Sequence, residues 1–287
     1  MPDLVARIKS ALADVNEPPW FPSLTAALVQ AKWQELSHTT GLTPSNYGTS
    51  RFLLADRDAS REIAMHLPVS LDSGIETVAV ELLTADLLRQ YESAGVSFYS
   101  GEEIARTPVL NCLKDAFAIL SLVPSLHFSV ATLVRALHVI KPANEDYDVS
   151  FSEPHIPFSI FVSVPERRVQ TDELRVAEAI VHEAMHLQLT LIEQAVPLVG
   201  LNGEMFFSPW RGEYRTAQGV LHALYVFRVI DAFGRELMLR NALPNESLGH
   251  IKDRRSEIAG QIQVFTSLKY CLDSSSAGTC LINRLLS

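Results

Sequence analysis

His182, Glu183 and His186 form a His-Glu-x-x-His motif inside VHEAMHLQLTLIE, residues 181–193. On an α-helix, residues four apart lie one above the other on the same face, so both imidazoles can reach one metal ion. Glu183 sits beside the first ligand and can reach the open side of that ion. In a zinc peptidase it is the general base for metal-bound water. The small apolar run AEAIV before the motif suits a helix buried at its metal.

Two side chains do not hold a catalytic metal, so a third ligand is required. Glu193 is seven residues beyond His186, about 10 Å along a helix axis, too far for the same ion. It reads as a solvated carboxylate or as support for a ligand. Gln188 and Leu189 do not supply the longer HExxHxxGxxH pattern. The remaining candidates are His222 in GVLHALYVF and Glu213 in RGEYR. A helix returning antiparallel would bring His222 level with the first pair, and ligation would explain a polar group in an apolar run. His222 is therefore the preferred third ligand and Glu213 the alternative.

SPWRGEYRT places Arg211 and Arg215 at the entrance to the segment that carries His222. They read either as ordinary surface cations or as a guanidinium fork that grips a small dicarboxylate. The second reading has a specific use. 2-Oxoglutarate chelates Fe(II) through one end, and its distal carboxylate needs a cationic partner. Three protein ligands and two from 2-oxoglutarate leave one of six positions for O2. A peptidase has no comparable need for a dicarboxylate anchor.

The elements that must position these groups are mostly helical. Helices are expected over 3–15 and 23–37, then a polar stretch from Ser37 to about Arg51. Helical spacing through Ile75, Val78, Leu82 and Leu87 follows Asp72-Ser73, with two more helices over 109–120 and 129–139, separated by Pro124. SIFVSV, flanked by Pro154, Pro157 and Pro165, reads as a strand. A long helix runs from about Thr171, where Thr171 or Asp172 can cap it, until Pro197 and Gly200 end it. FFSPWRGEYRT reads as a loop, 216–240 as a second long helix, and 247–270 as further helices before SSSAGT and a short tail. The fold class expected is mostly α (α+β), a single domain over 1–287. Its parts are a helical segment (1–120), a metal-site core (120–240) and a helical C-terminal part (241–287), with a small β element before the motif helix.

The 287 residues are 47% apolar and 20% charged, with net charge −9 and pI near 5.5. That composition gives a globular chain and argues against nucleic-acid binding. The first twenty residues lack the pattern of a signal peptide, and no apolar run is long enough for a membrane span. Cys112, Cys271 and Cys280 have no CxxC spacing, which suits a reducing, cytoplasmic setting.

Three stretches carry a resemblance to a known family: DYDVSFSEPHIPFSIFVSVP (146–165), AEAIVHEAMHLQL (177–189) and SPWRGEYRTAQGVLHALYVF (208–227). They resemble the HExxH family of ribosomal-peptide modification enzymes, described as 2-oxoglutarate-dependent HExxH-type peptide β-hydroxylases. The resemblance covers about residues 120–230. It implies Fe(II), 2-oxoglutarate and O2 acting on a β-carbon of a precursor peptide. In those terms His182 and His186 match the paired ligands and His222 the histidine of the following helix, while Arg211 and Arg215 match the two arginines. Thr216 stands where the pattern has proline. Glu183 would then orient a ligand or the substrate backbone. The competing readings are a zinc metallopeptidase of gluzincin type, with His182, His186 and Glu213 as ligands and Glu183 as base, and a helical binding module with a structural metal. His127, His138 and His155 read as packing or loop residues. Ser152, Glu153 and Ser159 are weak candidates for substrate contact.

Overall fold

A proline or a capping side chain opens several of the helices, and strands fall where β-branched and aromatic residues cluster. The computed structural model describes residues 2–40, 63–71, 74–144, 149–153, 156–166, 169, 171–200, 203–265 and 274–287. Among these, residues 1–31 with 188–287 cluster as one compact unit and residues 32–187 as another. These boundaries differ from the 120 and 240 expected within a single domain. The mostly helical α+β class is as expected, with ten helices and two sheets among the described residues.

The unit of residues 32–187 is built on a mixed sheet. Its strands are β1 (Ile63–Leu71), β2 (Gly74–Glu81), β3 (Ser97–Phe98), β4 (Ala136–Lys141), β5 (Ser150–Phe151) and β6 (Ser159–Ser163). The order is β1-β2-β4-β6-β5, with β3 paired to β4. β2, β4 and β6 run parallel, and β1, β3 and β5 pair antiparallel to their neighbours. The helices between are α3 (Ala85–Ser93), α4 (Gly101–Arg106), α5 (Val109–Ser121) and α6 (Pro124–Leu133). α5 and α6 pack on β1, and α6 also on β2.

Two expected helices are corrected here. Residues 74–81 form β2 instead of the helix read through Ile75, Val78 and Leu82; only Leu87 falls in a helix, α3. β-Branched Ile75, Thr77, Val78 and Val80 are stiff at χ1 and fit a pleated surface, and Val78 and Val80 are fully buried. Leu71 pairs with Gly74, so β1 and β2 form a tight hairpin. The helix expected over 129–139 is likewise two elements. Pro124 opens α6 at its first turn, α6 ends at Leu133, and 136–141 is β4. Ala136 to Ile140 are all buried, and a continuous apolar run of this length does not reveal its period. The stretch expected to be polar and irregular after Ser37 is helical to Thr40, and residues 41–62 lie outside the described residues.

The sheet presents two different faces. Cross-strand pairing sets His138, Phe161 and Phe151 in one row. Their rings stack, Phe161 on His138 at 4.6 Å and on Phe151 at 4.4 Å, and Tyr91 of α3 covers Phe161 at 5.3 Å. Strand alternation sends the adjacent row, Val139, Val162 and Ser150, to the opposite face.

The long helix α7 (Asp172–Ala195) begins in this unit. Asp172 accepts a hydrogen bond from the Val169 amide at 2.7 Å, and Asp172 and Glu173 place negative charge at the positive helix end. Pro197 prevents continuation past Ala195.

The unit of residues 1–31 and 188–287 contains α1 (Pro2–Ala13), the start of α2 (Pro22–Thr40), the hairpin β7 (Met205–Ser208) with β8 (Glu213–Thr216), α8 (Ala217–Arg240), α9 (Asn245–Phe265) and α10 (Ser276–Leu286). FFSPWRGEYRT is thus a β-hairpin and not the expected loop. Its turn closes with the Gly212 amide on Ser208 O at 2.8 Å, and Gly212 adopts φ +67°, open to glycine at little cost. SSSAGT opens α10: Ser275 Oγ accepts from the Gly278 amide at 3.1 Å. α1 packs on α10, and α8 packs on α9, α10 and the hairpin. Gln188, fully buried, donates to Trp20 O at 3.0 Å and Thr25 Oγ1 at 2.8 Å and accepts from the Tyr225 hydroxyl. A buried amide so fully paired costs little.

Candidate functional site

Helix α7 supplies the motif residues. Leu174, Ala177, Ile180, Val181, Ala184, Met185, Leu189 and Ile192 are essentially inaccessible, so apolar burial fixes its rotation. Against this background, half-buried positions recur at 175, 178, 179, 182, 186, 190 and 193, three or four apart. His182 and His186 lie in that stripe.

Their Nε2 atoms are 3.1 Å apart and the rings are tilted edge-on, with centroids at 4.8 Å. Two nitrogens about 2.1 Å from a shared ion would be separated by roughly 3.0 Å at a right angle and roughly 3.4 Å at a tetrahedral angle. The observed separation lies between these. The pair is therefore spaced to share one ion.

Glu183 is buried beside the pair. It is 2% exposed, and its Oε1 accepts a hydrogen bond from Ser150 Oγ of β5 at 2.7 Å. The same oxygen is 3.9 Å from His182 Nε2. Because Ser150 belongs to the row opposite the aromatic stack, this bond ties the motif helix to β5, one of the two strands that end the sheet order. Ser150 was missed in the sequence; a lone serine in a short polar-apolar strand carries no signal of its own.

In the other unit, His222 of α8 is 2.9 Å from Glu193 Oε2, which also accepts from Gln218 Nε2 at 2.7 Å. Glu193, set aside as a ligand by its distance from His186, is therefore the side-chain partner of the preferred third ligand. Glu213 lies exposed on β8 with its Oε1 3.7 Å from Arg215 Nη1. Among the described residues, no three His, Cys, Asp or Glu side chains gather closely enough to hold a metal ion. The histidine pair and the His222–Glu193 pair are thus two separate, internally bonded constellations.

The two arginines occupy different places on the hairpin. Arg211 is exposed at the turn. Arg215 pairs across the strands with buried Phe206, and its Nε lies 3.4 Å from the position a Cβ on Gly219 would take. The absence of a side chain at Gly219 gives this guanidinium room against the first turn of α8. Thr216, in place of proline, caps that helix: its Oγ1 accepts from the Gly219 amide at 3.2 Å. Trp210 anchors the turn by stacking on Phe227 at 5.1 Å and meeting Phe265 at 5.0 Å.

The weaker candidates fall mainly in the core. His138 and His127 are buried, and burial holds His127 below the usual histidine range. Ser159 is fully buried, and Glu153 accepts from the Tyr91 hydroxyl at 2.6 Å. His155 lies outside the described residues. Cys112 is buried and Cys280 exposed, neither in a disulfide, and Cys271 lies outside the described residues. No described helix is long and apolar enough to cross a membrane. Compared with known families and curated proteins, the chain matches no family model and no curated sequence.

Proposed function

We propose that the chain is a non-haem Fe(II)- and 2-oxoglutarate-dependent oxygenase that hydroxylates a β-carbon in a ribosomally made precursor peptide. The observation that carries the reading is the 3.1 Å separation of His182 Nε2 and His186 Nε2 on a half-buried stripe of an otherwise buried helix. These two residues would hold iron; His222, the third ligand expected from the sequence, is bonded to Glu193 and does not gather with them among the described residues. When bound, iron supplies the oxidising chemistry that couples decarboxylation of 2-oxoglutarate to hydroxylation by O2.

The protein's own contribution is positioning. Arg215, with Arg211, would receive the distal carboxylate of 2-oxoglutarate by charge-assisted hydrogen bonds. Ser150 donates to one oxygen of the Glu183 carboxylate and holds its orientation, as an orienting role would require. Glu213, the third ligand a gluzincin peptidase would need, is exposed and lies 3.7 Å from Arg215. Three cysteines without CxxC spacing fit a reducing cytoplasm, where a precursor peptide is made.

The test is anaerobic loading of the full chain with Fe(II) and 2-oxoglutarate, then O2 and a candidate precursor peptide. The expected result is succinate formation with a peptide mass gain of one oxygen atom. Peptide cleavage that proceeds without 2-oxoglutarate would establish the peptidase instead.

A further inference from the structure

One face of α8 carries Asp231, Gly234 and Met238, three and then four residues apart and so aligned along the helix. Arg255 of α9 lies against that face. Its Nε donates to Asp231 Oδ1 at 2.8 Å, and its Nη1 donates to Met238 Sδ at 3.7 Å. Arg228 approaches the other Asp231 oxygen at 3.5 Å. Gly234 makes room for Arg255: a Cβ there would meet Arg255 Cδ at 3.2 Å and Ile251 Cγ2 at 3.0 Å. The ion pair with Asp231 holds the guanidinium, so the donor that faces the sulfur is fixed in advance. The side chains of Arg255 and Asp231 are 31% and 20% exposed and Met238 is half-buried, which places the cluster at the surface, within reach of a small solute.

A thioether sulfur is a weak acceptor and makes little use of a guanidinium donor. A sulfoxide oxygen on the same sulfur is a strong acceptor. Methionine oxidation ordinarily disrupts packing, because it puts a polar group where no partner waits. Here the partner is in place: an oxygen on Sδ can sit about 2.8–3.0 Å from Nη1 with little movement of either helix. We propose that Met238 is a reversible oxidation site whose sulfoxide is received by Arg255, so that oxidation tightens the α8–α9 contact. In that step a sulfur lone pair attacks one oxygen of hydrogen peroxide and the O–O bond breaks. Sulfur is oxidised by two electrons and the peroxide is reduced; the second oxygen takes the proton of the first and leaves as water. Methionine sulfoxide reductases restore the thioether. All these residues belong to one unit of the chain, and none of them enters the iron reading.

The experiment treats the full chain with hydrogen peroxide, maps each methionine by peptide mass spectrometry and compares thermal melts. Met205, 52% exposed, is the internal reference for reactivity, and Met238→Leu removes the sulfur in question. The expected result is a sulfoxide at Met238 that methionine sulfoxide reductase reverses. Peroxide should move the melting midpoint of the wild type about 2–4 °C further upward than that of Met238→Leu. In Arg255→Ala the same oxidation should lower the midpoint, because the sulfoxide has lost its donor. The comparison of wild type with Met238→Leu decides the matter if Arg255→Ala does not fold. Met238 left as the thioether when Met205 is fully converted would overturn the site. A downward shift from Met238 oxidation in the wild type, or the same shift with and without Arg255, would overturn the role of Arg255.

Discussion

Ser150 Oγ donates to Glu183 Oε1 at 2.7 Å, joining β5 at one end of the sheet order to the carboxylate of the motif. Ser150→Ala removes a donor from a buried, charged acceptor. It should cost about 1–3 kcal/mol of stability in denaturant titration, with Ser150→Thr retaining most of it. The second readout is catalytic. If Glu183 orients and does not accept a proton from water, Glu183→Gln keeps measurable succinate formation, whereas a peptidase with this base would lose its activity.

Arg215 and Arg211 should contribute unequally. Arg215 is half-buried against the first turn of α8, and Arg211 is exposed on the turn. Losing a charge-assisted hydrogen bond costs about 1.5–3 kcal/mol. Arg215→Ala should therefore raise the KM for 2-oxoglutarate roughly tenfold to hundredfold, and Arg211→Ala less. A 2-oxoglutarate titration of succinate formation checks the order. Equal, unaltered KM values in both variants would remove the dicarboxylate anchor from the hairpin.

Gly278 tests how the chain leaving α7 is held. A Cβ there would lie 1.9 Å from Leu198 O, where Ser275 N also donates to the same oxygen at 2.9 Å. Backbone meets backbone, and no rotamer relieves the clash. Gly278→Ala should destabilise by at least about 1–3 kcal/mol. Gly249→Ala on α9, where a Cβ meets nothing within 4 Å, should be neutral or stabilising by up to about 1 kcal/mol. Paired thermal melts decide the contrast.

Glu103 gives a pH dependence with a definite sign. Its hydrogen bond from Lys141, and those from the Ser100 amide and hydroxyl, lower its pKa from 4.5 to about 2. The unfolded chain then binds more protons than the folded one between these values. The stabilising contribution is present above 4.5 and is lost as pH falls toward about 2. Lys141→Met should flatten the stability slope over that window, by less at high salt because the carboxylate is exposed.

The helical class, the motif helix and the long helix bearing His222 were legible because long apolar periodicity and end signals agree in both segments. Short segments were not. Residues 74–81 mix Glu76, Thr77 and Glu81 with β-branched apolar residues, and residues 136–140 are buried throughout, so neither strand shows a clean two-residue period. The hairpin 205–216 hides behind Pro209 and Gly212, which mark a turn without saying what flanks it. At the site, spacing alone gave the His182–His186 pair. Ser150 and the Glu193–His222 bond bring together residues 33 and 29 positions apart, and such pairings depend on which strand or helix packs where.

The order of the units along the chain also bears on synthesis. Residues 32–187 form their unit from one continuous segment, so it can fold as it leaves the ribosome. The other unit is assembled from two separated segments, with α1 packed on α10. Its first 31 residues must wait, with apolar side chains such as Ile8, Leu12 and Phe21 uncovered, until α10 has emerged. The nascent chain therefore carries α1 with its apolar face uncovered until α10 is made. Chaperone capture of translational intermediates should concentrate at α1 and end as α10 is made.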